Sequence, residues 1–361
     1  MSAPTASFGS SSHSHPQPQS PAAAAKAQNK PPTPERIMQM VWGFAPPLLL
    51  EAAIHHRVFD TLDGGPLLVE QLASRTNTSP RGLRIVLNAL VGLEFLTRDA
   101  TGRYALTPES AVFLVSSKPS FQGGIFRHVS SHLLPSWMDL KDIVRTGTPA
   151  LRVDESKRGE DFFARFVEDI FPMSYPAAQA LGKALNLNGA AVKVLDLATG
   201  SGVWGIALAQ QAANARVTAV DWEGVLPVTR RVAERFGVAD RFTYVAGDIL
   251  TADFGRGHDV ATLGHILHSE GAERSRALLK RVSDALAPGG TIAIAEFVPD
   301  DDRSGPAGPL IFAVNMLVNT TAGDTFTFAE ISRWLRDAGF ENTRTLPAPG
   351  PSPLILATKP R

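Results

Sequence analysis

The chain has no cysteine, which excludes disulfides, thiolate metal sites and a cysteine nucleophile. It has no excess of either charge, since 35 Lys plus Arg stand against 35 Asp plus Glu. That balance supplies no electrostatic reason to bind nucleic acid or an anionic membrane surface. No segment reads as a signal-peptide core or a membrane span, so a cytoplasmic protein is expected. Residues 1–33 lack apolar periodicity and are rich in Ser, Pro, Ala and Gln, the composition of a disordered tail. His13 and His15 within it read as solvated rather than metal-binding. What remains is long enough for two domains with their own cores.

The organising stretch is Ala191 to Gly205, with an apolar helical run on to Ala213. Val192–Leu197 reads as a buried strand, and Gly200, Gly202 and Gly205 follow as G-x-G-x-x-G. Glycines there allow a tight turn and a close backbone approach, and the next helix aims its free N–H groups over the loop. The pattern alone suits NAD, FAD or S-adenosylmethionine, but its neighbours discriminate. Asp196 stands at the strand end, where a carboxylate would repel a pyrophosphate and favour a sulfonium cation. A second strand ends in Asp221, placed to accept from both ribose hydroxyls. A third ends in Gly247-Asp248-Ile249, where Asp248 can take an adenine amino group and Ile249 can pack on the ring. Three acids at successive strand ends favour S-adenosylmethionine over NAD.

These marks, with Trp222, the segment Gly264-His265-Ile266-Leu267-His268 and Ala295-Glu296-Phe297, resemble the class I S-adenosylmethionine-dependent small-molecule O-methyltransferases, over roughly residues 35–358. The resemblance implies an α/β fold: a Rossmann-like seven-stranded cofactor domain (189–361) preceded by a mostly helical winged-helix dimerisation domain (34–120). Residues 121–188 form a helical linker and pocket lid between them. Asp196, Gly200, Gly202, Asp221, Trp222, Asp248, Ile249, Gly264 and His265 are then the cofactor residues. His268 aligns with the family's general base and Glu296 with the Glu that orients it. Phe162, Phe163, Phe166, Met173, Phe312, Met316 and Asn319 are the expected acceptor wall, and the acceptor itself is a hydrophobic, aromatic small molecule. A neutral imidazole with a pKa near 6.5 can help remove the proton of a phenol with a pKa near 10. No metal is expected, because the His and acid positions do not form a ligand set at usual spacings.

The amino-terminal part reads as helix from Pro34 to Phe59 with a break at Pro46-Pro47, a short helix at Leu67–Leu72, and a third from Ser79-Pro80 to Leu93. A hairpin then brackets Asp99–Gly102. Such a winged-helix layout also suits a DNA-binding regulator. Its third helix, however, carries Leu83, Ile85, Val86, Leu87, Leu90 and Val91 with only Arg81 and Arg84 as bases, which reads as a buried helix. A homodimer is expected instead. Further on, a fourth strand is expected at Asp259–Leu263, a helix at Ala272–Ala287 stopped by Pro288-Gly-Gly290, and a fifth strand at Thr291–Val298.

Two positions depart from the family. Ser269 follows the His where an Asp is usual, and Thr325 stands where a second Glu supports the base. The departures leave room for methylation at carbon or nitrogen, or for other chemistry assisted by the same cofactor. A ligand-binding regulator without turnover is the reading from another class.

Overall fold

The structure, a computed structural model, describes residues 32–149, 152, 156–187 and 191–361. Almost all of the expected tail and the expected boundary at 188/189 therefore lie outside the described residues. The chain through Pro46 forms one unit and Pro47–Arg361 the other. Pro46 and Pro47 do not break a helix. The break falls earlier, at Trp42–Phe44, between α1 (Glu35–Val41) and α2 (Ala45–His55). Both prolines sit in the first turn of α2, where a missing N–H costs nothing and φ is already helical. In the first unit Ile37, Met40 and Trp42 are 71%, 69% and 69% exposed. The stretch Glu35–His55 is long and apolar enough to cross a membrane by length and composition, which the sequence reading overlooked; the turn at Trp42–Phe44 interrupts it.

In the second unit α3 (Val58–Leu62), α4 (Val69–Thr76) and α5 (Pro80–Gly92) precede a hairpin of β1 (Leu96–Arg98) and β2 (Tyr104–Leu106), then α6 (Pro108–Phe113). The helix expected from Leu67 starts later because Leu67 is taken into a bridge with Tyr104. Ser79 caps α5, its Oγ accepting from the Gly82 N–H at 3.4 Å, with Pro80 at the first helical position. Leu83, Leu87 and Leu90 are buried along one face, each worth roughly 1.5–3 kcal/mol. Ile85 was expected inside but is 50% exposed, two residues from Leu83 and so on the far side of the helix. Asp99 fixes the hairpin turn, accepting from the N–H groups of Thr101 and Arg103.

A 3₁₀ turn (Gly123–His128) and a π turn (Val129–Leu133) lead into α7 (Leu134–Met138), α8 (Leu140–Thr146), α9 (Ser156–Phe166) and α10 (Phe171–Ala184). The remaining chain is a doubly wound α/β domain. Its elements are β3 (Lys193–Leu197), α11 (Val203–Gln211), β4 (Arg216–Asp221), α12 (Leu226–Arg235), β5 (Phe242–Ala246), β6 (His258–Gly264), α13 (Leu267–Ala285), β7 (Leu286–Ala295), α14 (Ala307–Asn319), α15 (Phe328–Asp337), β8 (Glu341–Leu346) and β9 (Leu354–Thr358). The seven strands run β5-β4-β3-β6-β7-β9-β8. The first five are parallel, while β9 runs antiparallel to both β7 and β8. β3 is the switch point: the chain leaves it toward β4 and β5 and returns on its other side at β6. The crevice beyond the carboxyl ends of β3 and β6 is where such sheets bind ligands.

Two elements differ from expectation here. α13 begins at Leu267, and Gly271 (φ 73°) breaks it, so the regular helix starts where expected. A Cβ at Gly271 would lie 2.5 Å from the Ala322 carbonyl oxygen. The helix ends at Ala285, and Pro288-Gly-Gly290 falls inside β7 rather than serving as a stop, in the irregular stretch between the His258–Leu286 and Val260–Thr291 pairs with β6. α11 is buried on every side from Val203 to Ala209, which fixes the loop at its head.

Candidate active site

The carboxyl ends of the parallel strands surround a cleft that, together with the open solvent at its mouth, holds about 1100 Å³ of empty space. Ala198–Ser201 from the loop after β3, Asp221 at the end of β4 with Trp222 after it, Gly247–Ile249 after β5, and Gly264 at the end of β6 with His265 and Ile266 after it line the cleft, with His268–Glu270, Arg274, Val203 and Trp204. Gly200 and Gly202 take φ of 54° and 79°, conformations that glycine adopts without strain. Gly264 allows a close approach, since a Cβ there would lie 1.9 Å from Trp204 Nε1.

The acids divide the work differently from the sequence reading. Asp196 is fully buried and does not line the cleft. Its Oδ2 accepts from Thr199 Oγ1 and the Gly205 N–H, and its Oδ1 from Thr262 Oγ1. The expected contact with the cofactor gives way to a grip on the glycine loop from beneath. Burial pushes this carboxyl up to about 6 against those hydrogen bonds. Asp221 does line the cleft, accepting from the Gly200 N–H (2.8 Å) and the Trp222 N–H (2.7 Å). Burial pushes it up to about 6 as well, against those bonds, and the charges of Asp196 and Glu160 add to the rise. Gly202 shapes the turn but is not among the lining residues; its missing side chain faces Thr229 and Ile206.

Past β6 the chain passes through His265, whose φ of 60° is left-handed, a strained choice for a residue with a side chain. Burial brings its imidazole down to about 4, although the Glu296 charge opposes. Its buried Nδ1 has no partner among the described residues. His268 sits in the first turn of α13. Glu296, the first residue beyond β7, is 2% exposed and grips that turn twice. Its Oε1 accepts from the His268 N–H at 3.3 Å, and its Oε2 lies 2.7 Å from His268 Nδ1. Burial would raise the Glu296 carboxyl, but the charge of His268 and its hydrogen bonds outweigh that and hold it below the usual range. With Nδ1 engaged, Nε2 is the nitrogen of His268 left to meet a substrate. His265, His268 and Glu296 bring a possible ligand atom each within 4.8 Å of one another. Spacing in the sequence hid that cluster, because Glu296 arrives from the neighbouring strand. The Glu296–His268 bond gives it the form of a base with its orienting group.

The expected acceptor wall falls into separate groups. Phe163 lines the cofactor cleft, 6.1 Å from the Trp222 ring. Phe162 and Phe166 stack at 5.1 Å, with His132 edge-on to one and His128 to the other. Met173 does not line the cleft, where Ile170 and Ser174 stand instead. Phe312 meets His268 edge-on at 4.9 Å and packs on Phe297 at 4.1 Å. Met316 is buried beside the turn at Gly323. Asn319 Nδ2 donates to Asn315 Oδ1, which also accepts from Trp137 Nε1. Thr325 is buried with its Oγ1 unpartnered among the described residues, and the adjacent Asp324 N–H donates to the His268 carbonyl at 2.9 Å. Sequence reasoning missed Trp204, Glu270 and Arg274; only the i, i+4 spacing of the last two was visible in the chain.

The cleft fits S-adenosylmethionine by its chemistry. Asp221, Asp248 and Glu270 line it, and the one lining guanidinium or ammonium among the described residues, Arg274, is bonded to the last two. Such a wall suits a cationic nucleoside without phosphates, and the orphaned His265 Nδ1 offers a further polar contact.

Comparison with known proteins gives the same direction. Residues 137–341 match the O-methyltransferase domain and residues 38–116 the O-methyltransferase dimerisation domain. The chain is 31% identical over 336 residues to the tetracenomycin polyketide synthesis 8-O-methyl transferase TcmO of Streptomyces glaucescens, covering 91% of this chain and 97% of that one. It is also 31% identical over 336 residues to the 3-hydroxy-5-methyl-1-naphthoate 3-O-methyltransferase of Streptomyces sahachiroi, covering 90% and 95%. Among solved structures, a putative O-methyltransferase from Nostoc punctiforme superposes with a TM-score of 0.84 at 30% identity, over 91% of this chain and 100% of that one.

Proposed function

The chain belongs to the O-methyltransferase family and uses S-adenosylmethionine; from that premise we propose that its acceptor is a hydroxylated, flat and largely apolar aromatic molecule, deprotonated by His268. The observation that carries the reading is the buried 2.7 Å bond between His268 Nδ1 and Glu296 Oε2. It holds the imidazole in the tautomer with Nε2 unprotonated and favours the imidazolium that forms as the hydroxyl proton is taken up. S-adenosylmethionine supplies an electrophilic methyl group on its sulfonium. Asp221 would accept from its ribose hydroxyls, Asp248 would accept from its adenine amino group, and the glycine loop would face the nucleoside. Phe312 and the Phe162–Phe166 stack exclude water from the acceptor, and alignment contributes as much as proton removal. The polyketide and naphthoate named for the two relatives support an aromatic acceptor.

In this reading residues 34–120 form the dimerisation domain, 121–188 the pocket lid and 189–361 the cofactor domain of a cytoplasmic homodimer. The exposed Ile37, Met40 and Trp42 support the dimer. The test is methyl transfer to hydroxynaphthoates by wild type and His268→Ala, with calorimetry of S-adenosylhomocysteine binding alongside. The expected result is a loss in kcat of about 10²–10⁴ with binding intact. Undiminished turnover in the variant would sink the assignment of the base.

A further inference from the structure

The mouth of the cleft carries an ion-pair bridge that the reaction itself does not use. Arg274 Nη2 lies 2.9 Å from Asp248 Oδ2, and its Nε lies 2.6 Å from Glu270 Oε2. All three residues line the cleft. The other oxygen of Asp248, Oδ1, accepts from the Leu250 N–H at 2.7 Å. Both oxygens of the carboxylate are thus pinned, one by backbone and one by the guanidinium, and it cannot swing about its Cβ–Cγ bond. Arg274 comes from α13 and Asp248 from the loop after β5, so the bridge also ties two separate segments across the cleft edge. Glu270 stands immediately before the Gly271 break, a position that no residue with a Cβ could hold against Ala322.

We propose that Arg274 is a positioning residue for adenine recognition, fixing the Asp248 carboxylate so that its remaining lone pairs accept the exocyclic amino group. The proposal rests on the reading of Asp248 given above. A pinned acceptor discriminates: it suits a 6-amino purine and opposes a 6-oxo purine, which presents an oxygen to the carboxylate. A mobile acceptor turns away from the oxygen and discriminates less. Arg274 makes no direct contact with the base in this scheme, so its whole effect passes through Asp248.

The experiment is calorimetric titration of S-adenosylhomocysteine and of its 6-oxo analogue, S-inosylhomocysteine, into wild type, Arg274→Ala, Asp248→Ala and the double variant. Thermal melts verify that each is folded. Arg274→Ala is expected to weaken S-adenosylhomocysteine binding about tenfold, the scale of one charge-assisted hydrogen bond. It is also expected to narrow the preference for the 6-amino ligand. In the Asp248→Ala background the same substitution is expected to change neither quantity. A loss of equal size in both backgrounds would overturn the proposal, because Arg274 would then act independently of Asp248. A wild-type affinity and preference in Asp248→Ala alone would instead overturn the adenine reading on which it stands.

Discussion

Gly264→Ala tests the tightest approach in the site. Its φ is not in the left-handed region, so alanine meets no backbone penalty and only the contact is perturbed. The added methyl would lie 1.9 Å from Trp204 Nε1, 2.6 Å from Cδ1 and 2.7 Å from Cε2. Ordinary carbon contacts begin near 3.5 Å, so the indole must retreat by roughly 1–2 Å. Trp204 is 5% exposed and on the buried helix α11, so its retreat is overpacking, with a cost of about 1–3 kcal/mol. At roughly 2–4 °C per kcal/mol for a unit the size of the cofactor domain, the melting temperature falls by about 2–12 °C. Gly264 and Trp204 both line the cleft, so the shift alters its wall and S-adenosylhomocysteine is expected to bind more weakly. Trp204→Ala is itself destabilising, by about 3–5 kcal/mol, but it removes the atoms the methyl meets. Gly264→Ala in that background should therefore cost nothing, and the methyl fills part of the void. Urea denaturation of the four proteins gives a coupling of about 1–3 kcal/mol. Equal cost in both backgrounds would refute the close approach.

Other expected outcomes follow from the same geometry. Glu296→Gln keeps the shape of the pair and loses its charge; kcat should fall about 10–100-fold while calorimetry shows unchanged cofactor affinity. Asp221 carries a raised pKa of about 6, so its carboxylate is present above that pH and protonated below it. The Kd for S-adenosylhomocysteine should rise as pH falls through 6, at most tenfold per unit, and Asp221→Asn should flatten that dependence; a flat wild-type profile would argue against the ribose contact. The linked stability has the opposite sense: folding favours the protonated carboxyl, a contribution fully present below pH 3.8 and lost as pH rises through 6. Replacing Met40 and Trp42 by Asp should shift a dimer toward monomer in sedimentation velocity.

Legibility in the sequence followed distance along the chain. The glycine loop and the strand-end acids were readable because strand, turn and helix are consecutive there. Whether an acid faces the cleft was not. Asp196 and Asp221 stand alike at strand ends, but the first points under the loop, where Thr199, Thr262 and Gly205 consume it. The Glu296–His268 pair, 28 residues apart, was visible only through resemblance, since nothing local links two neighbouring parallel strands. Arg274 carried no signal beyond its spacing from Glu270, because its other partner is 26 residues away. Pro46 and Pro47 were misread because a proline pair marks the start of a helix as well as its end.

His265 holds a backbone conformation that asparagine or glycine would adopt at lower cost. A protein engineer selecting only for heat resistance would therefore be drawn to His265→Gly or His265→Asn, which relieve of order 1 kcal/mol of strain. Either change discards the imidazole between the cofactor cleft and the His268 pair. A library screened for melting temperature alone would drift toward better-folded proteins that lack this cleft-lining imidazole, whose buried Nδ1 has no partner among the described residues. Titration of S-adenosylhomocysteine into such variants would register what the polar atom contributes.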